Sequence, residues 1–416
     1  MASSKMGAFV RVFIAVSVAI AAAIGSATAQ QDGQGRAAGG LRAAFETRIE
    51  ATVAERVAAA EAAGMVRNHV VTDGGVREYL FVPGTPDNTP APLVIVLHGG
   101  SMNAEQSLAI EYGGLWVDRA RQHGFALAFP QGAPEAPGSR SRNWNDCRAV
   151  SRISGDGGVM SGVGPDSTLD DVAFIMQMID DLARAGNIDP ARIYVAGASN
   201  GGMMTLRLLL EAGERFAGFA PSIASLPALS ECPSSPRVRK PLIYTYGTHD
   251  EFIPVDGGCV ADTDGSCARG RVLAQSATIQ LLATAYGAKA RAPRAIRDRD
   301  NKDGTRQVET DYAAKDVGTV LRVVRVEGGG HTTPAPGRSS PVTERMFGKR
   351  NGDRHAVDYI GEFFGLMRNG ADNDSPARCR DTASPAGPET RDRQAYAPAR
   401  SCARARLRRS GPIHPQ

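Results

Sequence analysis

Five short runs rich in β-formers, Leu93–Leu97, Phe125–Phe129, Ile193–Ala196, Leu242–Tyr246 and Leu321–Val326, alternate with helical stretches through the middle of this chain. Runs that stay apolar on both alternating faces suit strands covered on both sides, as in a mostly parallel sheet. Strands that alternate with helices imply a doubly wound α/β fold with helices on both faces. The clearest helix is predicted over residues 168–185, opening at the capping-box-like Ser167-Thr168-Leu169-Asp170. A hairpin is expected ahead of the sheet, where Asp73-Gly74-Gly75 separates Asn68–Val71 from Arg77–Val82. A last helix, over residues 356–367, covers the far end.

Not all of the 416 residues belong to that fold. Residues 1–29 read as a secretory signal, with Lys5 and Arg11 before the apolar run Phe13–Ile24 and an Ala27-Thr28-Ala29 cleavage site. Residues 30–66 read as a linker and an amphipathic helix, with Leu41, Phe45, Ile49, Val53 and Val57 at helical intervals. Residues 370–416 hold nine Arg and five acidic residues among many Pro, Ala and Ser, the composition of a disordered basic tail. Residues 67–369 are left for one α/β domain. Of the net charge of +4, the signal carries +2 and the tail +4, so the remainder is slightly acidic at −2. A nucleic-acid partner is therefore not expected. The basic tail reads as a solvated end, with contact to an anionic cell surface as the other reading.

After the signal, no apolar run reaches the length of a membrane span. The mature protein is expected to be exported, to the periplasm or beyond, and six cysteines fit such an oxidising compartment. Proximity suggests the pairs Cys259–Cys267 and Cys379–Cys402, which leaves Cys147 for Cys232. No C-x-x-C or H-E-x-x-H occurs, so no metal is expected.

The chemistry centres on Arg192–Gly202. A β-rich run ends at Gly197-Ala198-Ser199-Asn200-Gly201, a G-x-S-x-G, and a helical stretch over 203–210 follows. That context puts a serine on a strained strand-to-helix turn, where only glycines fit beside it. A serine hydroxyl is a poor nucleophile until a histidine takes its proton and an acid orients the histidine. In this arrangement the acid precedes the histidine along the chain. His331 ends the loop Gly328-Gly329-Gly330 just past the last strong strand, at the sheet edge where ligands bind. His249 and His355 are the other candidates. Asp250, in the turn after Tyr244–Gly247, is the expected acid, with Glu251 and Asp256 as rivals. An oxyanion needs two backbone donors, expected from Asn200 and from Gly100 in the turn His98-Gly99-Gly100-Ser101.

Two stretches, 131–167 and 256–269, look like insertions that wall a site. Trp144 in the first has two readings: it stacks on an aromatic or sugar group of a substrate, or it packs inside. Asp170 and Asp171 read as helix caps. Asp298–Gly304 superficially resembles a calcium loop, but Lys302 stands where an oxygen ligand belongs, and a polar turn is expected.

Seven ordered blocks make the chain resemble a known family. They are Leu97-His98-Gly99-Gly100, Phe129-Pro130-Gln131-Gly132, Asn143-Trp144-Asn145-Asp146, Asp170–Phe174, Gly197–Met204, Gly247-Thr248-His249-Asp250 and Gly328–Thr332, within about residues 67–367. They resemble the secreted polyhydroxybutyrate-depolymerase and feruloyl-esterase-like branch of the α/β-hydrolases, carbohydrate esterase family 1. The resemblance implies an α/β-hydrolase fold and hydrolysis of a carboxylic ester by Ser199, Asp250 and His331, without a cofactor. Hydroxyalkanoate esters and feruloyl or acetyl sugar esters are the implied substrates. Thr333 departs from the aromatic residue that the family often has two positions after the histidine. Two other classes stand beside this reading: a serine peptidase with the same triad order, and a binding protein on an inactive scaffold. The oligomeric state is not legible in the sequence.

Overall fold

The computed structural model describes residues 49–367 apart from 87–89, 135–137, 149–168, 231, 262–266, 268 and 338. The expected signal, the tail with Cys379 and Cys402, and the helix start at Ser167-Thr168 lie outside the described residues. Eleven strands form one sheet: β1 (Val66–Thr72), β2 (Gly75–Val82), β3 (Ala91–Leu97), β4 (Ala126–Pro130), β5 (Ile188–Ala198), β6 (Gly218–Ser222), β7 (Leu242–Gly247), β8 (Lys289–Ala290), β9 (Arg294–Ala295), β10 (Arg306–Ala314) and β11 (Gly318–Glu327). Their order is β1-β2-β4-β3-β5-β6-β7-β11-β10-β8, with β9 also paired to β10. The strands from β4 to β11 in this order are mutually parallel. Both margins are antiparallel. The expected hairpin is β1–β2, turning at Asp73-Gly74.

The helices are α1 (residues 49–62), α2 (Ala104–Ala109), α3 (Glu111–His123), α4 (Asp171–Arg184), α5 (Asn200–Ala212), α6 (Gln275–Ala285), α7 (Pro341–Phe347) and α8 (Ala356–Phe363). Side-chain alternation divides them between the two faces of the sheet. Leu93, Ile95 and Leu97 of β3 join one core with Phe174 and Met178 of α4, Met203 and Leu206 of α5 and Leu282 of α6. Val94 and Val96 of the same strand point the other way, into a core with Trp116 of α3, Ile360 of α8 and Val57 of α1. Strand β3 is buried at every position for this reason, and its continuous apolar run is the sequence trace of a two-sided sheet. This is the α/β-hydrolase fold.

Several elements differ from expectation, among them the last helix, which ends at Phe363 rather than at residue 367. Helix α4 starts at Asp171, because the Asp170 carboxylate accepts the Val172 and Ala173 N–H groups at 2.9 and 3.0 Å. Asp171 stands in the first turn as expected, and its carboxylate is also fully buried in an ion pair with Arg77 at 2.7 Å. Strand β10 carries no apolar run, and its buried Glu309 is paired with Arg294 and flanked by Arg322 and Arg354. Among the described residues, no helix is long and apolar enough to cross a membrane.

Candidate active site

The carboxyl ends of β3, β5, β7 and β11 meet at one edge of the sheet, and each carries part of the site. Strand β5 delivers Ser199, whose backbone has φ 58° and ψ −124°. That conformation is costly for a residue with a Cβ and survives only where its surroundings enforce it. The enforcement is visible. The Ser199 N–H donates to the Ser222 carbonyl at 3.0 Å, and its own carbonyl accepts from Met203 at 2.9 Å to start α5. A Cβ on Gly197 would fall on the Gly201 carbonyl, and one on Gly201 would fall on the Leu97 and His98 carbonyls. The Ser199 side chain makes no capping bond to α5, so its hydroxyl is left for another partner.

That partner is His331. Its Nε2 lies 2.9 Å from Ser199 Oγ, and its Nδ1 lies 2.8 Å from Asp250 Oδ2. The side chains of His331 and Asp250 are 8% and 2% exposed, so both bonds are shielded from competing water. Asp250 Oδ1 accepts the Phe252 and Ile253 N–H groups at 2.9 and 2.8 Å, which holds the other oxygen on the histidine. The β7 and β11 loops are laced together to bring this about. His249 N–H donates to the Gly329 carbonyl at 2.8 Å, and Gly328 N–H to Thr248 Oγ1 at 2.9 Å. A Cβ on Gly247 would strike the Gly329 and Gly330 carbonyls. Behind the imidazole, the Phe252 ring stacks at 4.9 Å.

The rival residues are elsewhere. His249 is exposed, with its Nδ1 3.0 Å from Thr248 Oγ1. His355 caps α8, its Nδ1 accepting the Val357 N–H at 3.2 Å. Glu251 and Asp256 are exposed. The Asp298–Gly304 stretch is a turn: Asp303 Oδ1 accepts the Thr305 N–H at 2.7 Å, and its Oδ2 accepts Gly352 at 2.7 Å.

Gly100 and Asn200 border the same cleft as Ser199, a space of about 330 Å³ counting the solvent at its mouth. Met203, Phe252, Ile253, Val260 and Ala261 supply an apolar wall, and Arg148 and Arg269 also line the cleft. Val260 and Ala261 belong to the second insertion, which the Cys259–Cys267 disulfide clips. The Ala261 N–H donates to the Phe252 carbonyl at 2.8 Å, tying that wall to the histidine's stacking partner. Cys147 and Cys232 are also bonded, so both expected pairs within the described residues form.

His98 is a buried support for the Gly100 turn. Burial, together with the nearby Arg77 and Arg142 charges, lowers its pKa to about 4 despite its bond to Gly99. The ring is therefore neutral near pH 7. Its Nε2 accepts the Gly132 N–H at 3.0 Å, so Nδ1 carries the proton and donates to the Gly99 carbonyl at 2.8 Å.

Trp144 does not present a face to the cleft. It is completely buried, 4.8 Å from the His98 ring, with Nε1–H donating to the His98 carbonyl at 3.0 Å. The stacking reading is thus corrected to packing: the indole donor is satisfied by backbone inside the fold. Phe252 is the aromatic residue of the cleft that sequence reasoning missed. Its signal was its place two residues after Asp250, where the turn that receives the carboxylate must end.

A model of the prolyl oligopeptidase family matches residues 166–227, the stretch that contains α4, β5, the Ser199 turn and α5. The chain is 30% identical over 319 residues to a protein named as an esterase, NocK of Nocardia uniformis subsp. tsuyamanensis, across 75% of this chain and 86% of that protein. It is 32% identical over 157 residues to poly(3-hydroxyalkanoate) depolymerase C of Paucimonas lemoignei, across 38% of this chain and 33% of that one. With feruloyl esterase B of Neurospora crassa the identity is 30% over 151 residues, across 35% and 44% of the two chains. The chain thus spans most of the first relative and less than half of the other two. Likeness over the length of the first, on an α/β-hydrolase fold, means that the chain belongs to the esterase family that also holds depolymerase- and feruloyl-esterase-like proteins, and it is a carboxylic ester hydrolase.

Proposed function

We propose that this protein is an exported serine esterase that works through Ser199, His331 and Asp250 and an acyl-enzyme. The observation that carries the reading is the continuous chain of short contacts from Ser199 Oγ through His331 to Asp250 Oδ2, at 2.9 and 2.8 Å. Ser199 Oγ attacks the ester carbonyl while His331 Nε2 takes its proton. Asp250 holds Nδ1–H and stabilises the imidazolium. The oxyanion is bound by the N–H groups of Asn200, at the positive end of α5, and of Gly100. His331 then protonates the departing alcohol, and water releases the acyl group by the reverse sequence. No metal or organic cofactor takes part.

The small cleft, with its apolar wall of Met203, Phe252, Ile253, Val260 and Ala261, supports a short acyl or hydroxyacyl group as substrate, and the relatives' names support hydroxyalkanoate, feruloyl or acetyl sugar esters. Two disulfides, and the resemblance of residues 1–29 to a secretory signal, support export. A peptidase reading has one observation behind it, the prolyl oligopeptidase match over the serine turn. It is answered by the same test. Purified mature protein is assayed on nitrophenyl acyl esters, methyl ferulate, acetylated xylan, a hydroxybutyrate oligomer and a peptide nitroanilide. Ester cleavage is expected to fall by roughly six orders of magnitude in Ser199→Ala, with the fold retained. Ester hydrolysis that survives in Ser199→Ala, or preferential cleavage of the peptide, overturns the reading.

A further inference from the structure

Gly100 and Asn200 sit on separate elements, the turn after β3 and the first residue of α5, yet one short segment grips both. On the Gly100 side, Asn143 Oδ1 accepts the Ser101 N–H at 2.9 Å and would lie 3.1 Å from a Cβ on Gly100. The Trp144 Nε1–H donates to the His98 carbonyl at 3.0 Å, two residues before Gly100. On the α5 side, the Trp144 N–H donates to Asn200 Oδ1 at 2.7 Å. Asn200 Nδ2 donates back to the Trp144 carbonyl at 3.0 Å and to Asp146 Oδ2 at 2.7 Å. Asp146 is itself held by Arg148, through Nε at 2.9 Å and Nη2 at 2.7 Å.

The segment is also anchored to the body of the fold. The Asn145 N–H donates to the buried Asp171 Oδ2 at 2.7 Å, and its carbonyl accepts Arg207 Nη1 at 2.7 Å. Cys147 is bonded to Cys232. Asn143, Trp144, Asp146 and Asn200 are each no more than 3% exposed. Buried polar groups paired in this way favour one arrangement, because a shift leaves donors and acceptors unmet.

We propose that residues 142–148 are a strap that sets the spacing and direction of the two oxyanion donors, with Asn143 and Trp144 as positioning residues. This rests on the reading of Ser199 as nucleophile and of the Gly100 and Asn200 N–H groups as donors. Preorganised donors help only while they point at the position that the oxyanion will occupy, so a slackened strap slows the chemical step. Asn143 and Trp144 do not line the cleft, so loss of their bonds leaves the substrate-contacting wall in place.

The test compares an oxoester with its thionoester analogue in Asn143→Ala and in Trp144→Phe, which keeps the aromatic ring and loses Nε1–H. A thiocarbonyl sulfur is a weak acceptor and draws little on the donors, whereas damage to the Ser199–His331 transfer or to the fold slows both substrates alike. We expect kcat for the oxoester to fall about tenfold in Asn143→Ala with KM unchanged. The oxoester-to-thionoester rate ratio should drop with it, and less so in Trp144→Phe. If Asn143→Ala does not fold, Trp144→Phe decides. Equal slowing of both substrates, or an unchanged ratio in folded variants, overturns the strap. Full activity of Ser199→Ala in the same assay would instead overturn the underlying reading.

Discussion

The imidazole rings of His331 and His98 lie at the same sheet edge and are held for different tasks. His331 spends both ring nitrogens on side chains, Ser199 and Asp250. His98 is 2% exposed and spends both ring nitrogens on backbone. Its lowered pKa has a consequence for stability. The folded-state value, about 4, lies below the ordinary 6.5, so the unfolded chain takes up the proton first as pH falls. The contribution is fully present above pH 6.5 and is lost between there and pH 4. Its ceiling is ~3 kcal/mol at about 1.4 kcal/mol per unit. In His98→Gln, whose amide oxygen can still accept from Gly132, this acid-sensitive part should vanish. Urea unfolding at pH 7 and pH 4.5 for both proteins measures it, and an equal acid loss in the two would count against the assignment. Ser199, Asp250 and His331 were legible as residue types because each follows a strand end and sits beside turn glycines. Trp144 was not, since a tryptophan in a long loop has the same sequence signature whether it faces solvent or core.

At the level of elements, the fit of α5 against the end of β3 depends on absent side chains. Gly201 meets two carbonyls of the β3 end, which belong to backbone and have little room to move. Gly201→Ala should push α5 off β3, destabilising the protein by about 1–3 kcal/mol. Activity should fall more than stability, because Ser199 rides on the same turn. Thermal unfolding and ester hydrolysis measured together check this; a variant of wild-type activity would mean that the turn tolerates the shift. The strands of the buried centre were readable from apolar runs, and G-x-S-x-G marked the junction of β5 and α5. Helix α3 was missed, although Tyr112, Trp116 and Ala120 recur at four-residue spacing along it. Its signal was diluted by two glycines and by charge. Strand β10 was missed for a different reason: its inward Gln307 and Glu309 are polar, and Glu309 is accommodated by arginines from β9, β11 and the approach to α8.

Across the whole molecule, the Arg77–Asp171 pair joins parts distant in sequence. Arg77 on β2 reaches Asp171 at 2.7 Å and the Gln131 carbonyl at 2.9 Å, and its guanidinium lies 4.4 Å from the Phe174 ring centre. Burial raises the Asp171 pKa, with Arg77 working against that shift. Arg77→Leu strands a buried carboxylate and should cost about 3–5 kcal/mol, read as a lowered urea midpoint. A midpoint within error of wild type would show that the pair is not required. Sequence by itself determined the two-sided parallel sheet, the serine turn and the residue types of the site, because strand periodicity, glycine spacing and turn chemistry are local and leave a local trace. Only the tertiary structure decided that Trp144 is inside, that Asp171 pairs with Arg77 and that residues 142–148 bind both the turn after β3 and the start of α5. These depend on burial and on contacts between segments far apart in the chain, and the free energy of burying a polar or aromatic group is set by partners that no local pattern names.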